Sequence, residues 1–520
     1  MSGADALSVS VLTHKDKKEV IGLGSSEKMT AFVEKTAANQ DSMDSDKLCF
    51  SRLMTLFDPD SFVSLDKKVV SRPFSQVFER PPVEGDGVVT GYGTIGGRLV
   101  FAASQDPDVY GGSIGRAHAM KIVKVIEMAV SSGSPFIALY SSGGARVEEG
   151  VLALEGLGAI LSALSDAKGQ IPLLCAVLGH CPGGLALAAA KSDFMFLCEG
   201  VSGLYMNSPV ITAALSGGKV NPSDIGTADI HRVKTGLASF VLADEESCLL
   251  KIRELMEYIP VITGDTMAFS RDAFCADDPN RTSEKLNELA SGSDNSGLPV
   301  REVFAEISDM QLFLEISEGY GTDMAVAFSK LDGITVGLIG NAAPRLTETG
   351  ARKASKFIRF CTAFMIPLIT FTDAEGFEIG AETEESGILE AAADLVSAFS
   401  ESDVPRVGVL VGKAIGTAYL AMNSKMLGAD MVFAWPTAQV AVMSADTAAN
   451  ILYREDIAGS EDPVAARIAK VEEYDKEISN PEVAAGYGQI DELILPSVTR
   501  PRIISALDIL LCGYPLVEKE

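Results

Sequence analysis

Pro135-Phe-Ile-Ala-Leu-Tyr-Ser-Ser-Gly-Gly-Ala-Arg146 joins a short apolar run to a glycine-rich turn, and Gly183-Gly184 then opens an alanine-rich stretch. An apolar run of this length between proline and glycine reads as a buried strand, and the alanines that follow read as a helix. The second half repeats the succession. Pro367-Leu-Ile-Thr-Phe-Thr372 is the strand, Asp373-Ala-Glu-Gly-Phe377 the turn, and Gly416-Thr417 opens a helix expected over 418–427. Aligning Pro135 with Pro367, Gly143 with Gly376 and Gly183 with Gly416 gives an offset of 232 to 233 residues, and Gly115 and Gly350 mark a further pair of helix starts. Self-similarity at one long period predicts two tandem copies of one α/β domain.

The surrounding chain has the same texture. Gly87-Val-Val-Thr-Gly-Tyr92 and Arg98-Leu-Val-Phe-Ala-Ala103 read as strands, and 114–130 as a helix. Turn formers concentrate in Asp277-Asp-Pro-Asn280 and Ser291-Gly-Ser-Asp-Asn-Ser-Gly297. The expected division is a polar arm over 1–48, with a weak helical pattern at Met29, Phe32, Val33 and Thr36, then a first domain over 49–275, a linker over 276–299 and a second domain over 300–520.

Composition sets the limits. The 520 residues are 47% hydrophobic and 22% charged, which excludes a disordered chain. A net charge of −28 repels polyanions and argues against a nucleic-acid partner, while backbone amides can still bind a small anionic ligand. The eight cysteines form no Cys-x-x-Cys pair and the four histidines are scattered, so no metal site is expected. The N-terminus lacks a signal-peptide pattern, and no run of about 18 apolar residues is present. A reducing, cytoplasmic location is the expectation.

A strand that feeds a glycine turn at a helix N-terminus leaves backbone N–H groups without internal acceptors. Glycine lets a carbonyl oxygen approach those amides and lets the backbone take positive φ. Such donors form an oxyanion hole, each worth about 3 kcal/mol when charge develops on the oxygen. Two copies predict a reaction in which two different oxygens become charged.

Five segments carry a family resemblance. Gly87-Val-Val-Thr-Gly-Tyr-Gly-Thr-Ile-Gly-Gly-Arg-Leu-Val100, Ser104-Gln-Asp106, Gly111-Gly-Ser113, Ser142-Gly-Gly-Ala-Arg-Val-Glu-Glu-Gly150 and Ala434-Trp-Pro-Thr-Ala-Gln-Val-Ala-Val-Met443 resemble the carboxyltransferase component of biotin-dependent acyl-CoA carboxylases and decarboxylases. The resemblance runs from about Phe57 to Leu510 and implies two tandem crotonase-like domains, of the ClpP/crotonase superfamily with its ββα-superhelix. It implies that the first domain binds a coenzyme A ester through Ser142, Gly143, Gly144 and Arg146, with Leu420 lining the acyl pocket. It implies that the Gly183 and Gly184 amides stabilise the enolate oxygen of the thioester. Gly416, Thr417 and Ala418 would hold the ureido oxygen of biotin, with Gly376, Phe377 and Tyr419 beside it. The implied partners are a separate biotin carboxyl carrier protein, a biotin carboxylase or membrane decarboxylase subunits, and further copies of the chain in a hexamer. Carboxylate then moves between carrier-bound biotin and the α-carbon of a short acyl-CoA, in either direction. A biotin-independent crotonase-type decarboxylase, hydratase or isomerase and a non-catalytic scaffold are the alternatives.

The chain departs from the family pattern in places. Pro182 stands where an alanine is usual, Thr417 replaces a glycine, Glu375 stands where proline is common, and Glu384-Glu-Ser-Gly-Ile-Leu-Glu-Ala391 lacks an Arg-His pair. Other motifs compete for attention. Gly111-Gly-Ser-Ile-Gly115 matches a serine-hydrolase elbow, but His118, His180 and His231 offer no recognisable triad order. Ala119-Met-Lys-Ile122 looks like a biotin-attachment sequence but sits in a helical pattern. The carboxylates Asp373, Glu375, Glu378, Glu382, Glu384 and Glu385 read as a solvated loop, Cys181 as a packed thiol, Trp435 as a core anchor, and Lys191 and Arg146 as candidate phosphate contacts.

Overall fold

The computed structural model describes residues 47–71, 81–216, 221, 224–260, 262–263, 266–267, 269–292 and 297–519. The arm expected over 1–48, with its helical pattern, lies outside them apart from its last two residues; Leu48 begins helix α1 (Leu48–Leu56). The chain divides into two compact units, 1–231 with 237–257, and 232–236 with 258–520.

The first unit is built on one sheet. Its strands are β1 (Val63–Leu65), β2 (Val88–Ile95), β3 (Arg98–Gln105), β4 (Phe136–Tyr140), β5 (Leu173–Val177), β7 (Phe194–Cys198) and β9 (Phe240–Leu242), hydrogen-bonded in that order. A separate parallel pair joins β6 (His180–Pro182) to β8 (Gly203–Tyr205). Strands β1 to β3 are antiparallel and those from β3 onward parallel. All five residues of β4 and of β5 are buried, as befits parallel strands covered on both faces. Helices α2 (Arg116–Ser132) and α3 (Val151–Ala167) contribute Ile122, Val125, Ile126, Ile160 and Leu164 to the core beside the sheet. Gly156 permits their approach, because a Cβ there would stand 2.7 Å from that of Ala119.

The second unit repeats the plan. Its sheet runs β11 (Phe313–Glu315), β12 (Met324–Leu331), β13 (Ile334–Asn341), β15 (Leu368–Ala374), β17 (Arg406–Ile415), β18 (Met431–Ala434) and β20 (Glu492–Leu493). Here β11 to β13 are antiparallel, and β13 to β20 parallel, so the seven-strand path matches the first strand for strand. Further strands are β10 (Phe269–Asp272), a parallel pair β14 (Arg345–Leu346) and β16 (Gly376–Phe377), β19 (Gln439–Ala441) and β21 (Leu516–Lys519). Trp435 anchors this core as expected, fully buried, with its Nε1 donating to Thr499 Oγ1 at 2.9 Å.

The expected linker over 276–299 is corrected. Strand β10 pairs with β13 and β21 of the second sheet, and a helix over Glu284–Gly292 buries Leu286 and Ala290 in the second core. Asp278, Asn280, Ser291 and Gly292 are exposed on the second unit, and the boundary falls near Tyr258, earlier than composition suggested.

Candidate active site

Each copy brings its glycine turn and its glycine-led helix together by the same device. Strand β6 leads into α4 (Gly184–Ala190), and the end of β17 leads into α7 (Gly416–Ala421). A short second strand pairs beside each lead-in, β8 in the first unit and β19 in the second. Gly183 and Gly416 hinge the two lead-ins with φ of +63° and +61°. That is the left-handed region, and a Cβ on Gly416 would press to 3.0 Å on the carbonyl oxygen of Val442, so glycine is required. The second helix is shorter than the expected 418–427. It stops at Ala421, Asn423 takes φ +53°, and Lys425–Leu427 form a separate 3₁₀ turn.

The amide inventory of the first copy refines the expected hole. Gly183 N donates to Tyr205 O at 2.9 Å, continuing the β6/β8 ladder, so the expectation that Gly183 supplies an oxyanion donor is corrected. Within the turn, Ser142 N donates to His180 O, Gly143 N to Gly111 O, Gly144 N to Ser142 Oγ and Arg146 N to Ile114 O, all at 3.0 Å or less. Ala145 N and Gly184 N have no acceptor among the described residues. The turn lies against the lead-in strand, since a Cβ on Gly144 would stand 3.3 Å from Pro182 Cγ. Ala145 was missed in the sequence because its amide is singled out only by the bonds its neighbours make.

Arg146 does not reach outward. It is 3% exposed, and Nη1 bonds Asp86 at 2.7 Å and Glu149 at 2.8 Å, while Nη2 donates to Ser113 O at 2.9 Å. Its guanidinium also lies 4.9 Å from the ring centre of Tyr110. The expectation of a substrate contact from Arg146 is therefore corrected, because its donors are spent on fastening the turn. Glu149 Oε2 in turn accepts Arg116 N, and Asp86 accepts His118 N, both at the start of α2. Burial pushes the Asp86 carboxyl up and the charge of Arg146 pulls against it.

In the second copy Gly376, with φ +153°, takes the place of Gly144, with φ +97°, so the turns align one residue later than the glycine spacing suggested. Phe377 pairs with Leu346 as Ala145 pairs with Ile114. Asp373 fastens this turn: its Oδ1 accepts Lys413 N at 2.7 Å and its Oδ2 accepts Leu298 N at 2.9 Å. Glu375 pairs with Lys413 Nζ at 2.5 Å and stands 3.8 Å from Arg345. The amides of Thr417 and Ala418 have no acceptor among the described residues, whereas Gly416 N continues the β17/β19 ladder onto Ala441 as Gly183 N continues that of the first copy, so the expectation that Gly416 supplies a donor is corrected. Thr417 is exposed, Ala418 buried and Leu420 half-buried. Tyr419 is buried, burial pushes its hydroxyl up to about 12, and its Oη has no hydrogen-bond partner among the described residues.

The competing motifs resolve by burial. The ring of His118 lies between Gln105 Nε2 and Asp86 O, and burial pushes it down to about 3, so both its nitrogens are engaged away from Ser113. Lys121 Nζ is buried against Gly85 O and Val88 O, out of reach of any biotinylating enzyme. Cys181 is buried, and that burial raises its thiol well above the ordinary range. Lys191 is the half-buried C-cap of α4, and its carbonyl accepts from Lys168 Nζ at 3.0 Å. Glu378, Glu382, Glu384 and Glu385 are exposed, and no cluster that could hold a metal occurs among the described residues.

Comparison with known proteins agrees with this geometry. The carboxyl transferase domain model matches residues 43–513. The chain is 39% identical over 463 residues to the methylmalonyl-CoA decarboxylase subunit alpha of Veillonella parvula, covering 88% of this chain and 89% of that one. It is 36% identical over 464 residues to the methylmalonyl-CoA carboxyltransferase 12S subunit of Propionibacterium freudenreichii subsp. shermanii, covering 88% and 87%. A transcarboxylase 12S crystal structure, described as a hexamer assembly with methylmalonyl-coenzyme A and methylmalonic acid bound, superimposes with a TM-score of 0.84 at 33% identity, over 99% of this chain and 98% of that one. Two tandem crotonase-like domains, a duplicated glycine-hinged helix start and a match along nearly the whole length lead to one conclusion: the chain belongs to the carboxyl transferase family.

Proposed function

We propose that the chain moves carboxylate between biotin on a separate carrier protein and the α-carbon of a short acyl-CoA, with methylmalonyl-CoA and propionyl-CoA as its substrate pair. One observation carries the reading: both copies hinge a helix start on a left-handed glycine and leave the amides just after that glycine unspent. In the first copy Ala145 N and Gly184 N accept the charge that grows on the thioester oxygen as the α-carbon gains or loses carboxylate. Ser142, Gly143 and Gly144 shape the floor on which the thioester lies, and Leu420 faces the acyl group. A positioned donor is worth about 3 kcal/mol there, because its dipole is already oriented when charge appears.

The second copy suits a ureido carbonyl. The Thr417 and Ala418 amides and the unpartnered Tyr419 hydroxyl are all donors set by the Gly416 hinge, while Gly376 and Phe377 form the facing turn. When bound, biotin supplies the nitrogen that carries the carboxyl group. The protein's part is to orient and polarise. Methylmalonyl-CoA is supported by the names of the relatives and by the ligand in the 12S structure, whose hexamer supports assembly of this chain with its own copies. The remaining partners are a biotin carboxyl carrier protein with a biotin carboxylase or membrane decarboxylase subunits. A cytoplasmic site of action accords with the absence, among the described residues, of any helix long and apolar enough to cross a membrane.

The test is conversion of methylmalonyl-CoA and malonyl-CoA by the purified protein, with and without free biotin, followed by mass spectrometry of the CoA esters. Biotin-dependent formation of propionyl-CoA is expected. Turnover indifferent to biotin would replace this reading with a biotin-independent decarboxylase, and binding without turnover, even with a biotinylated carrier, would leave a scaffold.

A further inference from the structure

The first unit holds two thiols in contact, on elements other than its glycine turn. Cys198 Sγ, at the end of β7, lies 3.4 Å from Cys248 Sγ on α5 (Glu245–Tyr258). Both side chains are buried and neither is in a disulfide. A disulfide bond is about 2.05 Å long, so a closure of about 1.3 Å joins them. The chain surfaces directly after Cys198, with Glu199, Gly200 and Val201 exposed, so one turn separates this sulfur from solvent.

The surroundings make the two sulfurs unequal. Arg52 of α1, 3% exposed, bonds Glu245 through Nε and Nη2, and its Nη1 has no partner among the described residues. The S–H of Cys248 and then the charge of Arg52 favour the Cys198 thiolate, against burial and the carboxylates of Glu245 and Asp244. Cys248 is raised, first by its hydrogen bond to Cys198 and then by burial. A thiolate is the nucleophile in sulfur oxidation, and a neighbouring thiol resolves the product.

We propose that Cys198 and Cys248 are a thiol–disulfide modification site, oxidised by a small hydroperoxide, that clamps α5 to the end of β7. The Cys198 sulfur attacks a peroxide oxygen, the O–O bond breaks, and hydroxide leaves to be protonated to water. The Cys248 sulfur then attacks the Cys198 sulfenic acid, the S–O bond breaks, and a second water leaves. Two thiols lose two electrons and two protons, and one hydrogen peroxide becomes two waters. The bond closes a loop between positions 50 residues apart and fixes the last helix of the first unit, which ends at the boundary with the second.

The experiment exposes the full chain to hydrogen peroxide, then unfolds it in denaturant with an alkylating agent and maps its peptides by mass spectrometry. The expected product joins the Cys198 and Cys248 peptides, is lighter than their sum by two hydrogens, and is reversed by dithiothreitol. Cys248→Ser is expected to lose the cross-link and leave Cys198 as a dimedone-trappable sulfenic acid. Cys198→Ser is expected to lose both products and keep the acyl-CoA turnover of the parent, since neither thiol belongs to the active site. The exposed Cys512 serves as the clock. If both Cys198 and Cys248 remain fully alkylatable in the parent chain when Cys512 is completely oxidised, the proposal is overturned.

Discussion

The turn at 141–146 and the turn at 373–377 occupy the same place in two matching sheets, yet they are fastened in opposite ways. A shared element comes first: the last residue of the preceding hairpin carries a side-chain amide that accepts the N–H at the head of the turn. Gln105 Oε1 accepts Ser141 N at 3.0 Å, and Asn341 Oδ1 accepts Asp373 N at 2.8 Å. Beyond that, the first turn sends out a cation, Arg146, which buries itself between Asp86 and Glu149. The second keeps an anion at its own head, Asp373, and satisfies it with backbone amides. The comparison teaches that duplication preserves the path of the backbone and the demand for buried polar satisfaction, while the residues that meet the demand are free to change.

The largest expected difference between the copies is in stability. Arg146→Met leaves Asp86 and Glu149 facing each other in the interior, and removing one member of a buried ion network costs about 3 to 5 kcal/mol. Asp373→Asn swaps one acceptor for a donor that faces an N–H, a loss of about 1 to 3 kcal/mol. Urea unfolding of both variants measures the contrast, and equal midpoints would show that the two turns are held with the same strength.

Catalysis separates the copies next. Proline at the first positions of a helix keeps the backbone path while deleting one N–H. Gly184→Pro is expected to lower acyl-CoA turnover by about 10²-fold or more with assembly retained. Thr417→Pro is expected to spare binding of the CoA ester and to lower only the biotin-dependent transfer. A Thr417→Pro variant that fails to bind methylmalonyl-CoA would mean that the division of labour between the copies is wrong.

The smallest effect tests what the copies have in common. Lys121 and Lys353 sit at matching positions on α2 and on α6 (Glu348–Ala363), and each donates to the carbonyl that opens the first long strand of its hairpin, Val88 O and Met324 O. Burial lowers each to about 8 from 10.5. Above pH 8 the folded chain gives up these protons while the unfolded chain holds them to about pH 10.5, so stability rises with pH across that window. Urea midpoints at pH 8 and pH 10 should show the rise, and Lys121→Met and Lys353→Met should each flatten it by a similar amount. Unequal flattening would break the symmetry of the two cores.

The sequence carried much of this because glycine and strand patterns are local. A buried strand, a turn and a helix start can each be read from a few residues, and their recurrence was enough to count the domains and to find Gly184 and Gly416. The failures have a common cause. Arg146 looked like a free cation because its partner Asp86 stands 60 residues away. Gly183 looked like a donor because Tyr205, which accepts from it, arrives on a later strand. Ala145 looked inert because its side chain says nothing about its amide. The linker over 276–299 looked like a boundary because turn formers mark a surface and cannot say whose surface it is.

By itself, then, the sequence determined the tandem α/β architecture and the glycine-hinged helix starts, since these follow from short-range backbone preferences repeated at one period, and five motif segments carried the resemblance to the family. Tertiary structure alone decided which amides are spent and which remain for a substrate, that Arg146 holds the site together instead of reaching out of it, and that Cys198 meets Cys248. Each of these rests on pairing between residues far apart in the chain, where a hydrogen-bond donor or a thiol acquires its role only from what the fold sets beside it.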